Sequence, residues 1–350
     1  MEANGVGTMD PIDSFIEKLP KAELHVHLEG TLEPDLAFEL AERNGVRLPW
    51  ASEAALRAAY RFRDLQSFLD LYYTATQILV QQRDFYELTW AYLKRIAGQG
   101  VLHAEVFFDP QAHTRRGIAF ASVVEGIHDA LLDGAREFGI STGLILCFLR
   151  DRSLEEAHAT LDQALRHRDR ISAVGLDSSE LGHPPGRFAD VFARARRAGL
   201  RAVAHAGEEG PAAYVWEALE VLGAERIDHG IRSLEDESLV LHLAENKVPL
   251  TVCPLSNVKL AVVEDLEDHP LREMLERGLV VTLNSDDPAY FGGYLNENYR
   301  EVQRVLGLSR EQFVRMARNS FAASFLDASE KAALFARLDA YVAKEIPVAP

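Results

Sequence analysis

His25 and His27 flank a single valine at the end of the short apolar run AELHVHLEG. In an extended strand, side chains two residues apart point to the same side, so both imidazoles can approach one ion. Three more apolar runs end in residues of the same kind: His205-Ala206-Gly207-Glu208, Asp228-His229 and Asn284-Ser285-Asp286-Asp287. Three imidazoles and one carboxylate drawn from this set suit Zn2+ or a similar borderline divalent ion, and such donors suit iron as well. A His-x-His pair alone is more often two surface or capping histidines. Its combination with His205, His229 and Asp286 is what points to a metal, with His229 a fifth candidate whose part the spacing leaves open. His103-Ala104-Glu105 offers a rival, the H-x-E half of a zinc motif that also requires P-C-x-x-C. The chain has no such motif, because its only proline beside a cysteine follows Cys253 and Cys147 lies far upstream. His103 and Glu105 are therefore expected to hydrogen-bond locally within their strand.

For these groups to meet, their runs must be neighbouring strands that end on one side. Eight such runs occur: AELHVHLEG, VLHAEVFFD, TGLILCFLRD, ISAVGLDSSE, LRAVAHAGEE, RIDHGI, PLTVCPLSN and LVVTLNSDDP. Each has the length and apolar content of a strand buried on both faces. Helical patterns separate them. FASVVEGIHDALLDGAREFG and PGRFADVFARARRAG carry apolar residues at spacings of three and four and stop at Gly139 and Gly199. PAAYVWEALEVLGA opens with Pro211 in a first-turn position, and HPLREMLERG continues the scheme. Strands alternating with helices predict a parallel sheet with right-handed crossovers, closed into a (β/α)8 barrel of the TIM type. A doubly wound open sheet would gather its polar groups near one switch point, whereas here they end most strands. The stretch from about 31 to 100 is a helical insertion that includes FRDLQSFLDLYYTATQIL. It is expected to pack on the barrel and, following the first strand, to lie on the face where barrel sites are built. No repeat or linker divides the chain, which reads as one domain over 13–350 after a loose tail at 1–12.

Composition narrows the function class. With 47% hydrophobic and 26% charged residues, the 350-residue chain sits at globular averages, which excludes disordered, collagen-like and disulfide-scaffold classes. The 37 Lys and Arg against 54 Asp and Glu leave a net charge of −17, so a nucleic-acid partner is not expected. Cys147 and Cys253 lie in apolar runs and are expected as small core residues. No window approaches ~18 uninterrupted apolar residues, so no membrane span is expected. MEANGVGTMDPID has neither the basic nor the apolar region of a signal peptide. These features together predict a cytoplasmic protein in a reducing compartment.

ELHVHLEG, AHAGEE, RIDHG and LNSDDP, in this order over about residues 14–340, resemble the adenosine/adenine deaminase family of the amidohydrolase superfamily. GLDSSELGHPPGRF and TVCPLSNVKL resemble its adenine deaminase branch. The adenosine enzymes are expected to carry Asp in place of Glu29 and a serine-rich segment after the Cys-Pro of the seventh strand, and this chain departs from both. The resemblance implies a zinc-containing barrel that converts adenine and water to hypoxanthine and ammonia in purine salvage. It implies Zn2+ on His25, His27, His205 and Asp286, with His229 as the base or electrostatic partner that orients the water. Glu208 matches the family's proton donor at N1 of the purine, in preference to Glu209, and Asp287 matches the aspartate that hydrogen-bonds N7. Ser179 and Glu180 lie where the family contacts the N3/N9 edge, and a carboxylate there would favour a free base over a nucleoside. Glu29 is expected to contact the base or to cap a helix start. Phe62, Leu65 and Phe68 resemble the family's apolar lid over the C6 substituent, though such residues are more often simple packing. Three other readings follow from the same residues: N6-substituted adenines as substrate, adenosine as substrate, or a catalytically silent metal-binding barrel. The last would need neither Glu208 nor His229.

Overall fold

Each of the eight apolar runs forms a strand in the computed structural model, which describes residues 11–346. The strands are β1 (Lys21–His27), β2 (Val101–Phe108), β3 (Ser141–Leu149), β4 (Ala173–Asp177), β5 (Arg201–Ala206), β6 (Arg226–His229), β7 (Pro249–Val252) and β8 (Val280–Leu283). Each pairs in parallel with the next, in sequence order. The ring closes just beyond β8, where the His27 N–H donates to the Asp286 carbonyl (2.9 Å) and the Asp286 N–H donates to the His25 carbonyl (3.1 Å). The seam of the barrel is thus stitched by the segments that carry the histidine pair and the aspartate. The register between β1 and β2 slips by one residue between Glu23 and Val26, a bulge that contains His25. Bulges of this kind re-aim side chains and recur beside active sites.

The strands are apolar because both faces are covered. Outward-facing residues pack against the surrounding helices in one continuous core, while Phe107, Ile145, Cys147, Ala173 and Val203 form a separate layer inside the ring. Both cysteines are free and buried. His103 Nε2 lies 3.2 Å from Glu105 Oε1, the local contact expected of that pair, but Glu105 also accepts from Arg226 Nη1 (2.6 Å). Burial pushes the Glu105 carboxyl up, but Arg226, His103 and the Phe325 N–H together outweigh it and hold the group at about 2. Arg226 is itself fully buried, donates to the Leu24 carbonyl (3.1 Å) and lies 4.7 Å from the centre of the Phe325 ring. Glu105 stands midway along β2 and Arg226 opens β6, so the ion pair lies inside the barrel beneath the metal-type residues, with Arg226 Nε 3.8 Å from Asp228 Oδ1.

The helix signals hold in their physical content. Gly139 ends the helix Phe120–Phe138 with φ 69°, a left-handed cap that glycine adopts without cost. Pro211 stands one residue before the helix Ala212–Glu217 rather than inside its first turn. The insertion folds as the helices Pro34–Asn44, Glu53–Ala58, Leu65–Ala75 and Gln82–Ile96. Residues 1–10 of the expected loose tail lie outside the described residues, but its last two positions open the helix Pro11–Lys18. Apolar Phe15, Ile16 and Leu19 bury one face of that segment, which is why the chain is ordered earlier than its composition suggested. Among the described residues no helix is long and apolar enough to cross a membrane.

Candidate active site

Four strand ends bring the metal-type residues to one spot. His25 Nε2 lies 3.2 Å and His27 Nε2 3.5 Å from Asp286 Oδ1, and His27 Nε2 lies 3.1 Å from His205 Nε2. His229 Nε2 is 3.8 Å from Asp286 Oδ2. His25, His205, His229 and Asp286 can each offer an atom within 4.8 Å of the others, and His27 does the same with Asp286 and Asp287. All five expected groups therefore converge, and all are buried. Asp286 and His229 reach the cluster from left-handed backbone, φ 64° each, and Ser178 nearby has φ 73°. Non-glycine residues rarely hold that conformation, and such strain concentrates at functional sites.

The donor set fits a divalent cation on the positions of its protons. The Thr251 hydroxyl donates to Asp228 Oδ1 (2.8 Å) and lies 2.9 Å from His25 Nδ1. With its one hydrogen directed at Asp228, Thr251 can only accept from His25, so neutral His25 carries its proton on Nδ1. Its Nε2 is left with a lone pair facing a carboxylate oxygen and has no hydrogen-bond partner. Two acceptors face one another stably only around a shared proton or a metal cation. Burial opposes a charge on His25, yet Asp286 and then Asp228 raise its pKa above the ordinary histidine value. Burial holds His27 down at about 4 and His229 at about 3, so both are neutral imidazoles. Neutral imidazole is the form that ligates a metal.

A narrow pocket opens onto this cluster, lined also by Glu208, Asp287, Asp109 and Asp177 and walled by Leu65, Phe68, Leu69, Tyr72 and Tyr73. About 30 Å3 of it is open to the centres of water molecules, room for two or three waters. Glu208 is buried, with Oε2 3.6 Å from His229 Nε2 and Oε1 unpartnered. Burial, and then Asp286, push its carboxyl well above the usual range. Asp287 is raised by the same two causes in the same order, and its Oδ1 has no partner. The site thus presents a metal-type cluster, a carboxyl held in its neutral form and a second carboxyl, all facing one small cavity.

A model of the adenosine deaminase family matches residues 20–341. The chain belongs to the adenosine deaminase family. An adenine deaminase of Streptomyces coelicolor is 59% identical over 333 residues, 95% of this chain and 98% of that protein. One from Hahella chejuensis is 54% identical over 331 residues, 95% and 99% of the two chains. The crystal structure of an adenine deaminase from Arthrobacter aurescens has a TM-score of 0.91 with 52% identity, covering 93% of this chain and 99% of that one. That of a Burkholderia ambifaria amidohydrolase with bound zinc has a TM-score of 0.88 at 29% identity, covering 98% and 96%.

In this family member the groups expected at the N3/N9 edge lie elsewhere. Glu180 does not line the pocket. Its carboxylate accepts the backbone N–H groups of Gly207 (2.8 Å), Glu208 (3.1 Å), Glu209 (2.8 Å) and Gly210 (2.7 Å), clamping the loop that carries Glu208. Ser179 is half-buried, and its carbonyl accepts from His183 Nδ1 (2.9 Å). The left-handed turn at Ser178 breaks the strand's alternation, so Asp177 and Ser178 face the pocket while the next two residues turn away. Glu29 opens the short 3-10 helix Glu29–Thr31, but its Oε1 is taken by His113 Nε2 (2.7 Å) and the Asp109 N–H (3.3 Å), and it does not line the pocket either. Leu65 and Phe68 do line it, whereas Phe62 packs behind them against Phe68 and Phe291. Sequence reasoning missed Asp109, Asp177 and Gly30. The two aspartates end β2 and β4 and carried the same strand-end signal as the histidines. A Cβ on Gly30 would stand 2.0 Å from Asp287 Oδ1, so glycine is required for Asp287 to occupy its place.

Proposed function

We propose that this chain is a metal-dependent hydrolase that removes the exocyclic amine of adenine, giving hypoxanthine and ammonia. The observation that carries the reading is that Glu208 and Asp287, each with one unpartnered carboxyl oxygen, line one small pocket together with the histidine–aspartate cluster. The relatives at 54–59% identity are adenine deaminases. His25, His27, His205 and Asp286 are the residues that would hold the metal, which is zinc as in the Burkholderia ambifaria protein. When bound, such an ion lowers the pKa of water from 15.7 towards ~7 and so supplies hydroxide at neutral pH.

The chain's own residues do the rest. Glu208, kept neutral by burial and by Asp286, donates a proton at N1 as charge builds there. Asp287 meets N7, and its raised pKa favours the neutral carboxyl that a ring-nitrogen acceptor requires. With Glu180 committed to the 207–210 loop, Asp109 and Asp177 replace it at the N3/N9 edge, where each has an unpartnered Oδ1. A carboxylate there accepts from N9–H and disfavours a ribose at N9. Leu65, Phe68 and Leu69 close over the ring and exclude water, and they must swing outward to admit it. The same reading makes the protein a cytoplasmic enzyme of purine salvage whose partners are the base and water.

The test is formation of hypoxanthine or inosine by the zinc-loaded protein with adenine, adenosine and N6-methyladenine in parallel, the first two releasing ammonia and the third methylamine. Adenine is the expected substrate. Turnover of adenosine at a similar rate would overturn the free-base reading. A preference for N6-methyladenine would keep the chemistry and correct the substrate. Inactivity on all three by metal-replete protein would overturn the proposal.

A further inference from the structure

Two sequence motifs play no part in the reaction as described so far: TVCPLSNVKL, which carries Asn257, and HPLREMLERG, which begins with His269. In the structure they meet behind His229. His269 Nε2 lies 3.1 Å from Asn257 Oδ1, and Asn257 Nδ2 lies 3.4 Å from His229 Nδ1. All three side chains are buried.

The hydrogens along this chain are set from its far end. The Leu271 backbone N–H donates to His269 Nδ1 (3.1 Å), so Nδ1 carries no proton. A neutral His269 then holds its proton on Nε2 and donates it to Asn257 Oδ1. Burial pushes the His269 pKa down to about 4, in keeping with the neutral ring. This settles which end of the Asn257 amide faces which histidine: its oxygen accepts from His269, and its NH2 donates to His229 Nδ1. His229 Nδ1 is therefore an acceptor, and the ring's one proton sits on Nε2. That nitrogen faces two carboxyl oxygens, Glu208 Oε2 at 3.6 Å and Asp286 Oδ2 at 3.8 Å, and the Asp286 carboxylate can only accept.

We infer that Asn257 and His269 are positioning residues that fix His229 as the Nε2-protonated neutral tautomer, so that it meets the metal site as a hydrogen-bond donor and as neither a ligand nor a base. The contrast with His25 is direct. Thr251 accepts from His25 Nδ1 and frees its Nε2 lone pair, whereas Asn257 donates to His229 Nδ1 and occupies its Nε2 with hydrogen. Five groups crowd the site, and this difference separates the histidine that holds the cation from the one that orients the attacking oxygen. The inference rests on the proposed reaction for the use of the donor, but not for the tautomer itself.

The experiment uses zinc-loaded protein labelled with 15N-histidine, whose long-range 1H–15N spectra report which ring nitrogen is protonated. His229 is assigned by loss of its signals in His229→Asn. The wild type should show His229 protonated at Nε2. In Asn257→Asp, a carboxylate of the same shape accepts from both neighbours, so the His229 proton should move to Nδ1. kcat for adenine should then fall about 10²–10³-fold, the cost of losing one aimed donor, with KM little changed. His269→Leu should show a loss in the same direction. His269→Gln, which keeps a donor for Asn257 Oδ1, should recover most of it. A wild-type His229 protonated at Nδ1 would overturn the inference, as would an Asn257→Asp protein with unchanged tautomer and kcat. The spectra decide the tautomer whichever substrate is turned over.

Discussion

Replacing Glu180 by glutamine separates the two roles that this residue has been given. As a substrate contact at the purine edge, its loss should raise KM and leave stability alone. As the clamp of the 207–210 loop, its loss should do the reverse. Oε2 takes the N–H groups of Glu208, Glu209 and Gly210, and Oε1 takes that of Gly207. Glutamine keeps one oxygen. Placed where Oε2 was, it retains three of the bonds without their charge and turns its own NH2 against the Gly207 N–H. A hydrogen bond to a charged group contributes about 1.5–3 kcal/mol and a neutral one about 0.5–1.5, so three bonds each weakened by about 1–1.5 and one bond lost cost about 4.5–7.5 kcal/mol. Unfolding entropy of about 2.1 cal/mol/K per residue over 350 residues makes each kcal/mol worth about 1.4 °C. The expected fall in Tm is thus about 6–11 °C at fixed scan rate. Because the loop carries Glu208, kcat should fall as well, with KM for adenine within about threefold of the wild type if the pocket wall is untouched. The assay is differential scanning calorimetry beside steady-state ammonia release. A Glu180→Gln protein with a Tm within ~1 °C of wild type and a clearly raised KM would refute the clamp and restore the substrate contact.

Other perturbations test other parts of the site. Glu208→Gln should lower kcat by about 10²–10⁴-fold while bound zinc, measured by elemental analysis, stays unchanged, because its carboxyl is assigned to proton transfer and not to the metal. Gly30→Ala places a methyl group 2.0 Å from Asp287 Oδ1 and 2.7 Å from its Cα, so both the side chain and the backbone beside Asp286 must shift, and kcat/KM should fall by at least about 10²-fold, visible also as a loss of affinity for the product hypoxanthine. Arg226→Met strands the buried Glu105 carboxylate and should destabilise the fold by about 3–5 kcal/mol in urea unfolding, with recovery when Glu105→Leu is added. Glu105 titrates at about 2 in the folded chain and near 4.5 when unfolded, so its pairing stabilises above pH 4.5 and is lost as pH falls towards 2. The double variant should lack that part of the acid slope.

The barrel was legible because its signal is collective. Eight apolar runs, helices between them and polar residues at the strand ends leave few arrangements in which His25, His205, Asp228 and Asp286 all come to one face, and a single misread run would not have changed that. The side chains around the chemistry were less legible, for reasons that can be located. Glu180 follows Asp177 by three residues, but the left-handed Ser178 between them reverses the side to which the chain presents its groups, and nothing in DSSE announces that turn. Asp109 and Asp177 ended their strands in plain sight. An aspartate before a turn is ordinary, and only burial with an open oxygen marks these two.

The deepest layer concerns protons, which no residue pattern records. His25 and His229 are the same residue type in one cluster, their rings 4.6 Å apart. What distinguishes them is a threonine that can only accept behind one and an amide that can only donate behind the other. His269, which orients that amide, lies 40 positions beyond His229 in a segment whose helical periodicity speaks only of packing. A motif names the groups that reach the reacting atoms. Which lone pair each group offers is decided one layer further out, by neighbours whose own hydrogen bonds leave them no choice.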